Sequence, residues 1–357
     1  VRHDHGGNLR ALSESTGTPA GQILDFSANI NPLGLSPRVE AAIREAIPMA
    51  VHYPDPEATA LRFALAVYHG FSPDCVLPGH GSTELIYLLA RALRPRSAVV
   101  LHPAFSEYEA ALELAGCHVE RALAREEDGF LPRASSFVSW VAGHDCIILA
   151  NPNNPSGSLI PRDALLALVE VCEARGVTVV VDEAFIDFVE GGSLKEWLDR
   201  FSRLVLLRSM TKFFALPGLR LGYVLAPHHL MGRLSPWREP WSVSRLAEAA
   251  GVAALEDREY QESSRLLIPG WREALATGLQ KFGSFRVFPG VANYLLVKLL
   301  DPRWNAPTLR AALLKQGIAI RDCSSFPGLD SRFVRLAVRR PEENQTLLGA
   351  LETLLGS

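Results

Sequence analysis

The chain has 357 residues, 48% of them hydrophobic and 21% charged, with a formal net charge of -3. This composition excludes a disordered or low-complexity protein, and the charge balance gives no electrostatic basis for binding nucleic acid or an anionic membrane. Five widely spaced cysteines without a Cys-x-x-Cys pair fit neither a disulfide framework nor a zinc site. Residues Val1 to His5 lack the apolar core of a signal peptide, and no later run approaches the ~20 apolar residues of a membrane span. A cytoplasmic protein is expected.

The first elements predicted are a short helix from Asn8 to Ser15 and, over Leu24 to Gly34, a strand running into an Asn/Pro/Gly turn. Pro37 opens the next helix, which should carry Val39, Ile43 and Ile47 on one face. From Pro56 onward, helical patterns at 58–68, 83–93, 106–115 and 162–175 alternate with apolar runs at 98–101, 146–150, 177–181, 204–207 and 219–226. Runs with so little polar alternation predict strands buried on both faces, hence an α/β fold with a mostly parallel sheet covered by helices. Two further helical stretches follow, from Arg245 to Asp257 and on to about Phe282. Beyond Phe285 the pattern changes to a smaller α+β unit with strands near 286–288, 294–298, 318–321 and 333–338 and a helix at 307–316. The length predicts about two domains. The expected boundaries are an N-terminal arm and part of a small domain at 1–40, a large domain at 41–270 and the C-terminal small domain at 271–357.

In such sheets ligands bind beyond the carboxyl ends of the strands, so the polar residues that follow the apolar runs should converge. Lys212 lies in Ser209-Met210-Thr211-Lys212-Phe213-Phe214-Ala215-Leu216, among apolar neighbours that would lower its pKa and leave the amine neutral. A neutral amine beside an anion site, for which Ser209 and Arg220 are suited, is what imine formation with pyridoxal phosphate (PLP) requires. Asp182 ends the most apolar strand, where a carboxylate must either pair with a protonated ring nitrogen or cap the next segment. Gly79-His80-Gly81-Ser82-Thr83 either grips a phosphate at a helix start or merely caps that helix. Asn151-Pro152-Asn153-Asn154 is either a rigid turn or a fixed amide aimed at a ligand, and Tyr108 either stacks on a ring or packs in the core.

Taken in this order, Asn154-Pro155-Ser156-Gly157, Asp182-Glu183-Ala184-Phe185 and Ser209-x-x-Lys212 with Arg220 resemble the fold-type I PLP enzymes of the aminotransferase superfamily. The chain is similar in particular to the branch that holds histidinol-phosphate aminotransferases and threonine-phosphate decarboxylases. His5-Gly6-Gly7-Asn8, the 25–34 segment and Pro240-Trp241-Ser242-Val243 favour the decarboxylases. The resemblance implies PLP as cofactor, a small phosphorylated amino acid as substrate and a homodimer with active sites shared at the interface. It also implies that Lys212 carries the cofactor, Asp182 pairs with its ring nitrogen, Asn154 meets its phenolic oxygen and Tyr108 stacks on it. Ser82, Thr83, Ser209 and Arg220 would take the phosphate, with Tyr53 arriving from the partner subunit. Arg335 would bind the substrate carboxylate, and Arg321, His5 and Asn29 the substrate phosphate. Phe185 stands where the aminotransferases usually have tyrosine. Arg339 and Arg340 match nothing and are expected at the surface. A PLP-binding regulator without turnover is the contrasting expectation, disfavoured because no N-terminal segment is spare for a DNA-binding module.

Overall fold

A computed structural model describes residues 6–356. Its centre is a seven-stranded sheet formed by β2 (Val76–Gly79), β3 (Ser97–His102), β4 (His118–Leu123), β5 (Cys146–Ala150), β6 (Thr178–Asp182), β7 (Leu204–Ser209) and β8 (Gly222–Leu225), in the order β2-β8-β7-β6-β5-β3-β4. The pairings from β4 to β7 are all parallel, and β8 runs antiparallel to both of its neighbours. The apolar runs form strands because both of their faces are covered. Val99, Leu101, Ile147, Leu149, Val179, Val181, Leu204 and Leu206 enter one core, while Ala98, Val100, Cys146, Ile148, Val180, Val205 and Leu207 enter the other. Each fully buried valine or leucine contributes about 1.5–3 kcal/mol. The sheet is thereby the most stable frame on which to mount a site.

The chain ends build a second region. A four-stranded sheet, in the order β12-β13-β10-β9, contains β9 (Phe285–Val287), β10 (Tyr294–Leu299), β12 (Arg321–Asp322) and β13 (Phe333–Ala337). Beside it β1 (Leu24–Asp25) pairs in parallel with β11 (Ile318–Ala319). Ala337 N donates to Phe26 O across the same junction. The single strand expected at 318–321 is in fact two, split at Ile320 and belonging to different sheets.

Other departures have physical causes. Ile47 does not share the buried face of its helix, which ends at Ala46. It lies in a following 3-10 turn and is 55% exposed. The strand expected from Leu219 starts only at Gly222, because Arg220 is held at φ 56°. β4 had no apolar run to announce it: as an edge strand it exposes His118, Glu120, Arg121 and Leu123. The helix Pro341–Leu355 was also not anticipated. Among the described residues no helix is long and apolar enough to cross a membrane.

Candidate active site

Strand direction brings the polar residues to one edge. Gly79, Ser209 and Gly222 lie side by side at the ends of β2, β7 and β8, and Asp182 ends β6 two strands from β8. The turn after β2 enters the helix Gly81–Leu93, whose first N–H groups point toward the same edge. Gly222 is required by close approach: a Cβ there would stand 2.7 Å from Ser82 N and 2.9 Å from Arg208 O. A Cβ on Gly81, at φ 81°, would stand 2.8 Å from the Arg220 guanidinium. These two glycines keep a cradle open between the helix start and Arg220.

The resulting pocket is lined by Ser82, Thr83, Tyr108, Asn154, Asp182, Lys212 and Arg220, together with Phe105, Pro152, Ala184, Phe185 and Thr211. Lys212 Nζ donates to Thr211 Oγ1 at 2.8 Å, and Thr211 in turn shares a 2.8 Å hydroxyl contact with Ser209. Burial lowers the Lys212 pKa to about 8; the Arg220 guanidinium adds to that fall, and Asp182 opposes it. Asp182 itself is pushed up by burial, although Tyr108 Oη donates to its Oδ2 at 2.5 Å and Ala184 N to its Oδ1 at 2.8 Å. Burial also raises Tyr108 well above the ordinary phenol value, so it stays a neutral donor.

Behind Asn154 lies Arg335, whose Nη1 donates to Asn154 Oδ1 at 2.5 Å and whose Nη2 donates to Ser27 O at 2.8 Å. That leaves the Asn154 amide hydrogens for a ligand. Val334, Arg335 and Leu336 are all buried, so β13 is covered on both faces and Arg335 faces the pocket side rather than solvent. Arg321 is its cross-strand partner in register, and it lines a separate cleft of about 510 Å³ with Gly6, Gly7, Asn8, Ser27 and Arg310. The Asn29 side chain is buried and its Oδ1 has no hydrogen-bond partner among the described residues. Its neighbour Asn31 donates from its backbone N to Lys212 O and from its side chain to Phe213 O.

Of the expected site residues, Ser209, Asn29, Arg335, Arg321 and Tyr53 are not in this lining, Arg321 facing its own cleft. Tyr53 is 79% exposed and packs against Trp241 with the rings tilted by 37° at 5.1 Å between centroids, and His5 lies outside the described residues. Arg340, expected at the surface, is exposed but also donates to the carbonyls of Pro32 and Leu33, tying the 31–34 turn to the C-terminal region. The sequence reading missed Thr211 and Phe105. Thr211 carried a signal in being a hydroxyl directly before the lysine, whereas Phe105 gave none beyond its nearness to Tyr108, on which it packs edge-on.

An amine held partly neutral, a buried carboxylate facing it, and a cradle bounded by Arg220, Ser82 and Thr83 fit a phosphorylated aromatic aldehyde. Among the described residues no group of three or more His, Cys, Asp or Glu side chains could hold a metal ion.

Residues 21–351 match the family model for aminotransferase class I and II. Over 354 residues the chain is 38% identical to threonine-phosphate decarboxylase of Salmonella typhimurium, covering 98% of this chain and 96% of that protein. The solved structure of L-threonine-O-3-phosphate decarboxylase from Porphyromonas gingivalis is similar with a TM-score of 0.85 at 28% identity, covering 94% of this chain and 100% of that one. The histidinol-phosphate aminotransferase from Clostridium acetobutylicum is similar with a TM-score of 0.88 at 32% identity, covering 94% and 99%.

Proposed function

The chain belongs to the aminotransferase class I and II family, with pyridoxal phosphate as its cofactor, and from that premise we propose that it decarboxylates L-threonine O-3-phosphate. The products are (R)-1-amino-2-propanol O-2-phosphate and carbon dioxide, and the setting is cobalamin biosynthesis. The observation that carries this reading is the 38% identity, over 98% of the chain, to a threonine-phosphate decarboxylase.

When bound, PLP supplies an aldehyde for the amine and a ring that takes up the electron pair left when a bond at the substrate α-carbon breaks. The protein's part is to choose the bond. Lys212 would hold the cofactor, and its pKa of about 8 leaves a usable neutral fraction of the amine near neutral pH. Asp182 would hold a proton at the ring nitrogen, Asn154 would donate toward the phenolic oxygen and Tyr108 would pack against the ring. Ser82, Thr83, Ser209 and Arg220 receive the cofactor phosphate. Arg335, anchored by Asn154 and Ser27, would bind the substrate carboxylate and hold it in the orientation from which it is lost, while Arg321, Asn29 and His5 would take the substrate phosphate. The Lys212 amine, having taken up the proton that the substrate's ammonium group gives up on binding, would deliver it to the α-carbon once carbon dioxide has left. Phe185 cannot donate a hydrogen bond to the phenolic oxygen; it packs on Tyr294 at 4.9 Å instead.

On this reading residues 41–270 form the cofactor-binding unit, and the two chain ends form the substrate unit. Two copies pair so that Tyr53 of one reaches the cofactor phosphate of the other, which accounts for an exposed tyrosine beside the exposed Trp241. A second reading, histidinol-phosphate aminotransferase, draws on the TM-score of 0.88 to such an enzyme. Incubation with threonine phosphate and no keto acid separates the two. Release of carbon dioxide with repeated turnover supports the decarboxylase, and accumulation of the pyridoxamine form supports the aminotransferase.

A further inference from the structure

On the far side of β6 and β7 from the pocket lies a buried network of charges that the chemistry above does not use. Glu183 follows Asp182 and Arg208 precedes Ser209. Because successive residues of a strand face opposite ways, each pair places one member toward the pocket and the other behind it. Arg208 Nε lies 2.8 Å from Glu183 Oε2, its Nη1 donates to Asp187 Oδ1 at 2.9 Å, and its Nη2 donates to Ser193 Oγ at 3.0 Å. Glu183 also accepts from Ser193 Oγ at 2.8 Å and from Leu194 N at 2.9 Å. Glu183 is 0% exposed, Arg208 2% and Asp187 7%.

The network continues to the residue after the lysine. Arg265 donates from Nε to Asp187 O at 3.0 Å and lies 5.1 Å over the Phe213 ring, which packs edge-on against Phe188 at 5.0 Å. A buried ion pair gives little stability over well-packed apolar residues, since desolvation offsets the attraction. What a three-pronged guanidinium does supply is direction: it fixes Glu183, Asp187 and Ser193 relative to β7.

We propose that Arg208 is a positioning residue for the cofactor site: by clamping Glu183 and Asp187 it registers the end of β6 against the end of β7, and so sets Asp182 opposite Lys212. The inference rests on the cofactor reading above. Arg208 touches no reacting atom.

The test uses the full-length chain, freed of cofactor and reloaded with PLP, as wild type and as Arg208→Lys. Three quantities are followed: the PLP dissociation constant, the pH midpoint for borohydride-trapped labelling of Lys212, and thermal unfolding. The charged groups facing the Lys212 amine are Arg220, Asp182 and Arg335, none of which is altered. Lysine keeps the charge at 208 but cannot reach three acceptors. Arg208→Lys should therefore bind PLP on the order of tenfold more weakly, the low end of the loss seen when residues that orient metal ligands are removed. Its labelling midpoint should rise from about 8 toward the ordinary lysine value of 10.5 as water enters. A lower unfolding temperature with an unchanged midpoint and dissociation constant would overturn the proposal, leaving the network a purely structural feature. If Arg208→Lys does not fold, the isosteric Glu183→Gln and Asp187→Asn variants decide by the same two readouts. Failure of the wild type itself to label at Lys212 would instead mark the cofactor reading as the one at fault.

Discussion

Lys212, Asp182, Ser209, Arg220 and the 79–83 turn come from strand ends that are close neighbours in one sheet. The Arg335 grip is assembled differently, from Ser27 and Asn154, which lie 308 and 181 residues away along the chain. In the first region the backbone frame fixes the geometry, and short loops carry the side chains. In the second, the geometry exists only once the two chain ends have packed together, through β1 on β11 and Phe26 on Ala337. The difference teaches where each kind of function is expected: holding the cofactor belongs to the rigid sheet edge, and choosing the substrate belongs to the contact between chain ends.

That division can be broken by mutation. The largest effect expected is from Lys212→Ala, which should lower turnover at least about a thousandfold and abolish the imine absorbance, because no other amine lines the pocket. Asp182→Asn should lower kcat by about 10² to 10³ with a small change in Michaelis constant, as its carboxylate acts on developing charge and not on substrate affinity. An unchanged kcat with a raised Michaelis constant would place Asp182 outside the chemistry. Arg335→Ala should raise the Michaelis constant by about thirtyfold or more while PLP stays bound, since truncation leaves Asn154 and Ser27 O unpaired as well as removing the carboxylate's partner. If PLP is lost along with substrate affinity, the two regions are not separable.

The smallest effect is one of pH on the cofactor-free chain. The folded Lys212 gives up its proton near pH 8, whereas an unfolded lysine keeps it to about 10.5. Between those values the unfolded chain binds more protons, so stability should rise with pH across that window. Lys212→Met should lack that rise, and the difference between the two denaturation series measures it. A flat difference would mean that the pocket does not desolvate the amine.

The same contrast explains what the sequence made legible. Buried parallel strands announce themselves as apolar runs, so β3, β5, β6 and β7 could be read directly, and with them the positions of Asp182 and Ser209 at their ends. β4 could not, because an edge strand needs no continuous apolar run. Arg335 could be named only through the family resemblance, since nothing local records that Ser27 will lie against it. Nor did spacing reveal the Arg208 network, whose residues read separately as two strand ends and a loop. Arg340 was set aside as a surface residue for the same reason: its acceptors, the carbonyls of Pro32 and Leu33, come from the opposite end of the chain.

The most direct measurement is reduction of the PLP-loaded protein with borohydride, followed by proteolysis and mapping of the modified peptide. The account predicts a single label, on the peptide that contains Lys212. A label on any other lysine, or none at all, would contradict it.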